Sequence, residues 1–365
     1  MPSATSHDSR ASPVGHLWGG GVLTLYVLFV AYASLYPFAG WRIPPEQWWQ
    51  NLWSRYNPEF DVVINFISYA PLGFLAASAW SRRFTAFRAM VLAILSGAAL
   101  SMAMEGVQLF LPTRVASLLD WLSNTAGATV GVLLCLNPVG LRLRAFVHDW
   151  RLRFFLAGAA VDAGLILIVI WLLAQTNPSV PFFEAGNMIN RLTASWRLNP
   201  YDPLFLIPQL VGIGLNVCGF ALFVSVLVKT QVRSMLVVAV VLAMGLALKL
   251  TAAGLMLKAP LLENWLGPAS VLGLGAGVVV ALPLLAAARR LRVFLALLLV
   301  FAGGLMSKMA SIYDAFDETL RLFDWRYGQL SNFASLTRSL SEVWPLLVLA
   351  FLAYCYLKWP SEDLQ

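Results

Sequence analysis

The chain has 365 residues, of which 59% are hydrophobic and only 12% are charged, and its mean hydropathy is +0.74. These values exclude a soluble globular domain, whose surface needs many more polar residues. The net charge of +7 comes from basic residues that are divided among short segments, so the sequence predicts no surface for a nucleic acid. A polytopic membrane protein is therefore expected.

Ten hydrophobic segments are long enough to cross about 30 Å of hydrocarbon at about 1.5 Å per residue. In chain order they are residues 20–38, 62–80, 89–110, 118–136, 154–175, 204–228, 234–257, 269–287, 293–310 and 343–357. The second and fourth can begin one residue earlier, at Asp61 and Ser117, because both residue types cap helices well. The predicted fold class is all-α, a polytopic transmembrane helix bundle of about ten spans.

The positions of the basic residues predict the orientation, because short cytoplasmic loops carry an excess of Lys and Arg. Alternate connections contain Arg82, Arg83 and Arg88, then Arg142, Arg144, Arg151 and Arg153, then Lys229 and Arg233, then Arg289, Arg290 and Arg292, and Lys358 follows the last span. This pattern places both termini in the cytoplasm. Residues 1–19 are then a cytoplasmic tail, and no cleaved signal peptide is predicted.

Polar residues interrupt the second, third and fourth spans at helical spacing, so each of these helices presents one polar face. The ligand-binding candidates on these faces and the loop between them are Asp61, Asn65, Tyr69, Glu105, Gln108, Arg114, Asp120 and Asn124. Carboxylates within a membrane usually face the bundle interior or a water-filled cavity. Gly127 and Gly131 allow the helix backbones to approach. The predicted orientation puts the three acids at one level, around a small pocket open to the outside.

Structural interpretations of the same residues remain open. Asp61 and Asp120 can be helix N-caps, and the two asparagines can join helices. Glu105 can form an ion pair with Arg114. A functional role is favoured for Glu105, because a structural carboxylate inside a span is costly.

Other chemistry is weakly indicated. Cys135, Cys218 and Cys355 lie far apart within spans and predict packed thiols. All three histidines fall on the predicted cytoplasmic side, which excludes a His-ligated metal or a Ser-His-Asp triad on the external face. The three acids can bind Mg²⁺ or Ca²⁺ through oxygens, but they show no recognisable metal spacing, so no metal or cofactor is predicted.

The segment from Asp61 to Gly131 resembles the VanZ-like family of bacterial membrane proteins. The residues that carry the resemblance are Asp61, Asn65, Phe66, Tyr69, Pro71, Leu72, Gly73, Phe74, Glu105, Gln108, Phe110, Pro112, Arg114, Ser117, Asp120, Asn124, Thr125, Gly127 and Gly131. The family takes its name from a protein associated with low-level resistance to the glycopeptide antibiotic teicoplanin. The resemblance implies a role in the cell envelope and a place in the bacterial cytoplasmic (inner) membrane.

The resemblance covers roughly the first 140 residues and suggests a division of the chain. Residues 20–140 form a four-span VanZ-like domain, and residues 141–153 form a basic cytoplasmic linker. Residues 154–365 form a second membrane region of six spans, in which 311–342 are an external amphipathic segment. Asp162 and Lys249 are intramembrane charges of this region, and a structural role in which Lys249 extends outward and Asp162 inward is favoured over a proton or ion relay.

Three functions are compatible with these features. The protein can bind a cell-wall or polysaccharide precursor, for example a lipid-linked one, in the external pocket and alter its exposure. It can instead be an intramembrane enzyme in which Glu105 and Asp120 are acid and base and Arg114 holds a phosphate. It can also be a transporter or flippase. Binding requires the fewest features, so the expected partners are the lipid bilayer and an envelope precursor.

Overall fold

A computed structural model of the chain describes residues 14–52, 59–177, 182–183, 203–256, 268–310 and 329–358. Within these ranges the chain forms eleven α-helices and one short 3-10 helix, and no β-strand. The predicted all-α class is confirmed.

Five α-helices lie in the first part of the chain: α1 (Val14–Leu35), α2 (Glu59–Trp80), α3 (Ala86–Gln108), α4 (Leu118–Leu136) and α5 (Pro138–Phe154). The 3-10 helix Trp48–Asn51 lies between α1 and α2. Six more follow: α6 (Ala159–Ala174), α7 (Pro203–Leu227), α8 (Gln231–Met256), α9 (Pro268–Leu284), α10 (Arg289–Ala310) and α11 (Gln329–Lys358).

Six segments within these helices are long and apolar enough to cross a membrane. They are Asp61–Trp80, Ala86–Gln108, Leu118–Leu136, Gln209–Leu227, Gln231–Leu255 and Ser335–Lys358. Gly20–Leu35, Ala159–Ala174 and Ser270–Leu284 are shorter apolar helices. The chain is thus a multi-pass membrane protein, while the total of ten spans and the cytoplasmic placement of the termini stay predictions.

Several helix limits differ from the expected ones. Residues 141–153, interpreted from the sequence as a linker, are helical as part of α5. The fifth span begins at Ala159 and not at residue 154, because Gly158 interrupts the helix with φ of +127°. Of the expected amphipathic segment, 311–328 lie outside the described residues, and 329–342 continue directly into the last span.

The chain divides into two compact units. The first comprises Met1–Asp149 and Ala157–Ala163, and the second comprises Trp150–Leu156 and Gly164–Gln365. The second unit is built around α7, which packs against α8, α9 and α10. Phe220 of α7 is completely buried, and its ring centroid lies 4.1 Å from that of Trp171.

The first unit is built around the contact of α2 with α4, and α3 packs against both. A Cβ atom at Gly131 would lie 1.8 Å from the Ala70 carbonyl oxygen, and one at Gly127 would lie 2.1 Å from that of Phe66. A side chain at either position would therefore collide with the backbone of α2. The predicted close approach at these two glycines is confirmed, and it brings the polar faces of α2 and α4 together.

Candidate functional site

The ends of three helices bring the carboxylates of the first unit together. Asp61 lies near the start of α2, Asp120 lies near the start of α4, and Glu105 lies in the last turn of α3. Asp120 interacts electrostatically with both Asp61 and Glu105, and Asn65 lies within hydrogen-bonding reach of the Asp120 carboxylate. We call Asp61, Asn65, Tyr69, Ser101, Glu105, Asp120 and Asn124 the carboxylate cluster.

Glu105 is held at the start of α4. Glu105 is only 8% exposed, and its Oε2 accepts a hydrogen bond of 2.8 Å from the backbone N–H of Ser117. Ser117 is the N-cap of α4, and its own Oγ accepts from the Leu119 N–H at 3.2 Å. The N-terminus of a helix carries partial positive charge, so this position stabilises an anionic Glu105. Glu105 therefore joins α3 to α4 and also points its carboxylate into the cluster.

Asp120 is the third residue of α4, so the interpretation of Asp120 as the cap of this helix is wrong. The cap is Ser117, one of the two alternative starts considered from the sequence. Asp61 is likewise the third residue of α2, which begins at Glu59, so it is not the cap of its helix. Both aspartates have side chains available for interactions between helices.

Three buried oxygen atoms of the cluster make no hydrogen bond to the described part of the chain. They are Oδ1 of Asp120, Oδ1 of Asn124 and the hydroxyl oxygen of Tyr69. Asn124 uses only its amide nitrogen, which donates to Ser101 Oγ at 3.0 Å. The Tyr69 hydroxyl lies near Ser101 and Glu105, but its geometry is not that of a hydrogen bond. Most buried polar atoms in proteins have hydrogen-bond partners, so these three oxygens are exceptions that can still accept hydrogen bonds.

Arg114 is directed away from the carboxylates. Its Nη2 donates to the carbonyls of Ala33 at 3.1 Å and Tyr36 at 2.9 Å, and its Nε donates to Tyr36 at 3.1 Å. The structure gives Arg114 no ion pair with Glu105, so that pairing is wrong. Burial lowers the pKa of Arg114, yet a guanidinium stays protonated at neutral pH.

Gln108, like Arg114, donates a hydrogen bond to a carbonyl at the C-terminal end of α1. Its Nε2 donates to the carbonyl of Ser34 at 2.9 Å. The last carbonyls of a helix lack partners within that helix, and cations and amide donors stabilise them. Gln108 and Arg114 therefore fasten the C-terminal end of α1 and do not contribute donors to the carboxylate cluster.

Two residues of the site were absent from the candidates selected by sequence. Ser101 accepts from Asn124, and Ser117 presents its N–H to Glu105. Ser101 precedes Glu105 by four residues on α3, so its helical face was a usable signal. Within the described ranges, no group of three or more His, Cys, Asp or Glu residues is arranged to hold a metal ion.

Residues 18–142 match the sequence model of the VanZ/LLP1 family. Searches of curated proteins and of solved structures gave no match to the chain. The matched range contains every residue of the carboxylate cluster and both residues that fasten α1. The protein is thus a multi-pass membrane protein whose N-terminal part, residues 18–142, matches the VanZ/LLP1 family.

Proposed function

We propose that the protein acts in the bacterial cell envelope by binding the hydrogen-bond-donating part of a cell-wall or polysaccharide precursor at the carboxylate cluster. The bound group is a sugar hydroxyl or an ammonium group, and binding changes how the precursor is exposed. The distribution of basic residues favours an external position for the cluster. The link to teicoplanin resistance comes from the VanZ-like character of the domain.

The observation that carries this proposal is the set of buried oxygens that make no hydrogen bond to any described residue. A buried acceptor that makes no hydrogen bond costs about 1–3 kcal/mol. The oxygens of Asp120, Asn124 and Tyr69 lie on two adjacent helices, α2 and α4. A ligand that supplies several donors would relieve all three costs at once. Hydroxyl-rich and amine-bearing groups have this property.

Charge also favours a donor over a phosphate. Asp61, Glu105 and Asp120 place three carboxyl groups in the cluster, and any of them that is ionised repels a phosphate. The enzyme hypothesis needs Arg114 to hold that phosphate, but three of its hydrogen bonds go to carbonyls at the C-terminal end of α1. The geometry therefore supports binding of a cationic or hydroxyl-bearing group better than phosphoryl chemistry.

The test is antibiotic susceptibility in a sensitive bacterium that expresses the protein at matched membrane levels. We expect the wild type to raise the inhibitory concentration of teicoplanin more than that of vancomycin. Glu105→Gln and Asp120→Asn should abolish this shift, because each removes a carboxylate of the cluster with little change in shape. Asp149→Asn is the matched control, since Asp149 is an exposed acid outside the cluster.

The outcomes separate the steps of the proposal. The proposal is supported if the wild type and the Asp149→Asn control shift the inhibitory concentration of teicoplanin and the two cluster variants do not. If the wild type produces no shift, the envelope role transferred from the family is contradicted. If the wild type produces a shift that both cluster variants retain, the carboxylate cluster is not the binding site.

A further inference from the structure

A cleft of about 450 Å³ opens in the first unit between α1, α2 and α3. Its walls are apolar and include Leu23 and Val27 of α1, Leu72 and Ala76 of α2, and Leu100 of α3. The volume falls within the range of about 300–1,000 Å³ that is common for small-molecule sites. None of these five residues carries a polar side chain, so the walls suit a hydrocarbon chain.

The mouth of the cleft is basic. Arg82 and Arg83 follow the end of α2 and line the opening, together with Trp80. The Trp80 indole N–H donates to Ser96 Oγ at 3.3 Å, which fixes one side of the opening. Arg144 of α5 adds a third positive charge near Arg82, and burial together with this neighbour lowers the pKa of Arg82. An anion at the mouth would offset this repulsion.

The cleft is separate from the carboxylate cluster. Asp61 and Trp80 are at opposite ends of the Asp61–Trp80 span, about 30 Å apart at 1.5 Å per residue. Val30, Tyr69, Leu72 and Ala128 form a buried core layer. Leu72 also lines the cleft, so this layer borders it. A ligand that enters between the arginines thus meets apolar walls.

We propose that this cleft binds an anionic phospholipid, with the phosphate at Arg82 and Arg83 and an acyl chain along the apolar walls. Guanidinium groups bind phosphate oxygens through paired, charge-assisted hydrogen bonds. Basic pockets between transmembrane helices on the cytoplasmic side recognise anionic head groups, and the positive-inside pattern assigns this end to that side. A choline head group would place a cation against the same arginines.

The experiment uses the full-length protein, purified in detergent and stripped of lipid, with binding measured by native mass spectrometry. The probes are dioleoyl phosphatidylglycerol, dioleoyl phosphatidylcholine with the same chains, and inorganic phosphate. The test variant is Arg82→Gln with Arg83→Gln. The matched control is Arg88→Gln with Arg142→Gln, which removes two exposed arginines of the same predicted side that do not line the cleft.

We expect the wild type and the control to bind phosphatidylglycerol about ten-fold more tightly than phosphatidylcholine, and the test variant to lose this preference. Ala79→Leu, which places a larger side chain on the cleft wall, should weaken phosphatidylglycerol binding with both arginines present. Equal binding of the two lipids by the wild type would overturn the proposal, as would full retention by the test variant. Displacement of the lipid by an equal concentration of inorganic phosphate would show that the apolar walls contribute nothing.

Discussion

The two units differ in the sign of their buried charged residues, which are acids in the described part of the first unit and cations in the described part of the second. In the first unit, acids gather in the carboxylate cluster, where Asp120 Oδ1 makes no hydrogen bond to the described residues. In the second unit, buried cations donate to carbonyls near helix ends. Arg151 Nη1 donates to Leu156 at 2.6 Å, and Lys249 Nζ donates to Asn177 at 2.8 Å. The second arrangement has an evident structural use, since cations stabilise the C-terminal ends of helices.

Acidic residues are distributed just as unequally. Glu342 is the only carboxylate in the described residues of the second unit, and it is exposed and paired with Arg338 at 3.1 Å. Lys249 is completely buried and its Nζ donates to the carbonyl of Asn177, which follows α6, so the outward extension expected for this side chain stays a prediction. We therefore look for function in the carboxylate cluster of the first unit, where like charges lower stability. The buried cations of the second unit stabilise helix ends, so we assign them a structural role.

The largest expected effect comes from disturbing the contact of α2 with α4, which brings the carboxylate cluster together. Gly131→Ala should lower the free energy of unfolding by about 3 kcal/mol, because the new Cβ atom would overlap the Ala70 carbonyl, which belongs to a helix backbone. Unfolding by a denaturing detergent, followed by circular dichroism, measures the change. Gly106→Ala is the matched control, since no atom lies within 4 Å of a Cβ atom there. Equal stability of the two variants would contradict the tight contact of α2 with α4.

A smaller loss is expected from removing a cation of the second unit. Arg151→Met keeps the aliphatic stem but removes the donor to Leu156, and should cost about 2 kcal/mol of unfolding free energy. Arg142→Met, at an exposed position of the same helix α5, should cost much less. Teicoplanin susceptibility at matched membrane levels should be the same for both. A loss of resistance in Arg151→Met alone would mean that the second unit also carries function.

The smallest effect has the opposite sign. Asp120→Asn should raise the free energy of unfolding by about 1 kcal/mol or less, because it removes a carboxylate that Asp61 and Glu105 both repel while keeping the shape of the side chain. The same detergent unfolding measures it, with Asp149→Asn as the control at an exposed position. A clear destabilisation by Asp120→Asn would make this carboxylate a structural group, and the contrast between the two units would disappear.

The sequence by itself determined the helices and their polar faces. The predicted fourth span coincides with α4, Leu118–Leu136, and Ser117 is the cap that its residue type allowed. Gly127 and Gly131 could be assigned to a close contact because small residues at helical spacing permit one. These properties depend on hydropathy and on a period of about 3.6 residues, both of which are local in the chain.

Only the tertiary structure decided the partners of the long polar side chains. Arg114 and Glu105 are close in sequence and opposite in charge, yet Arg114 binds carbonyls at the C-terminal end of α1 that lie 78 and 81 residues away. The cleft at Arg82 likewise needs walls from three helices, which no local pattern specifies. A side chain such as Arg can reach many acceptors, and the packing of distant helices determines which of them is available. The local sequence therefore determines where the helices lie in the chain, whereas the chemistry of the site depends on how distant helices pack together.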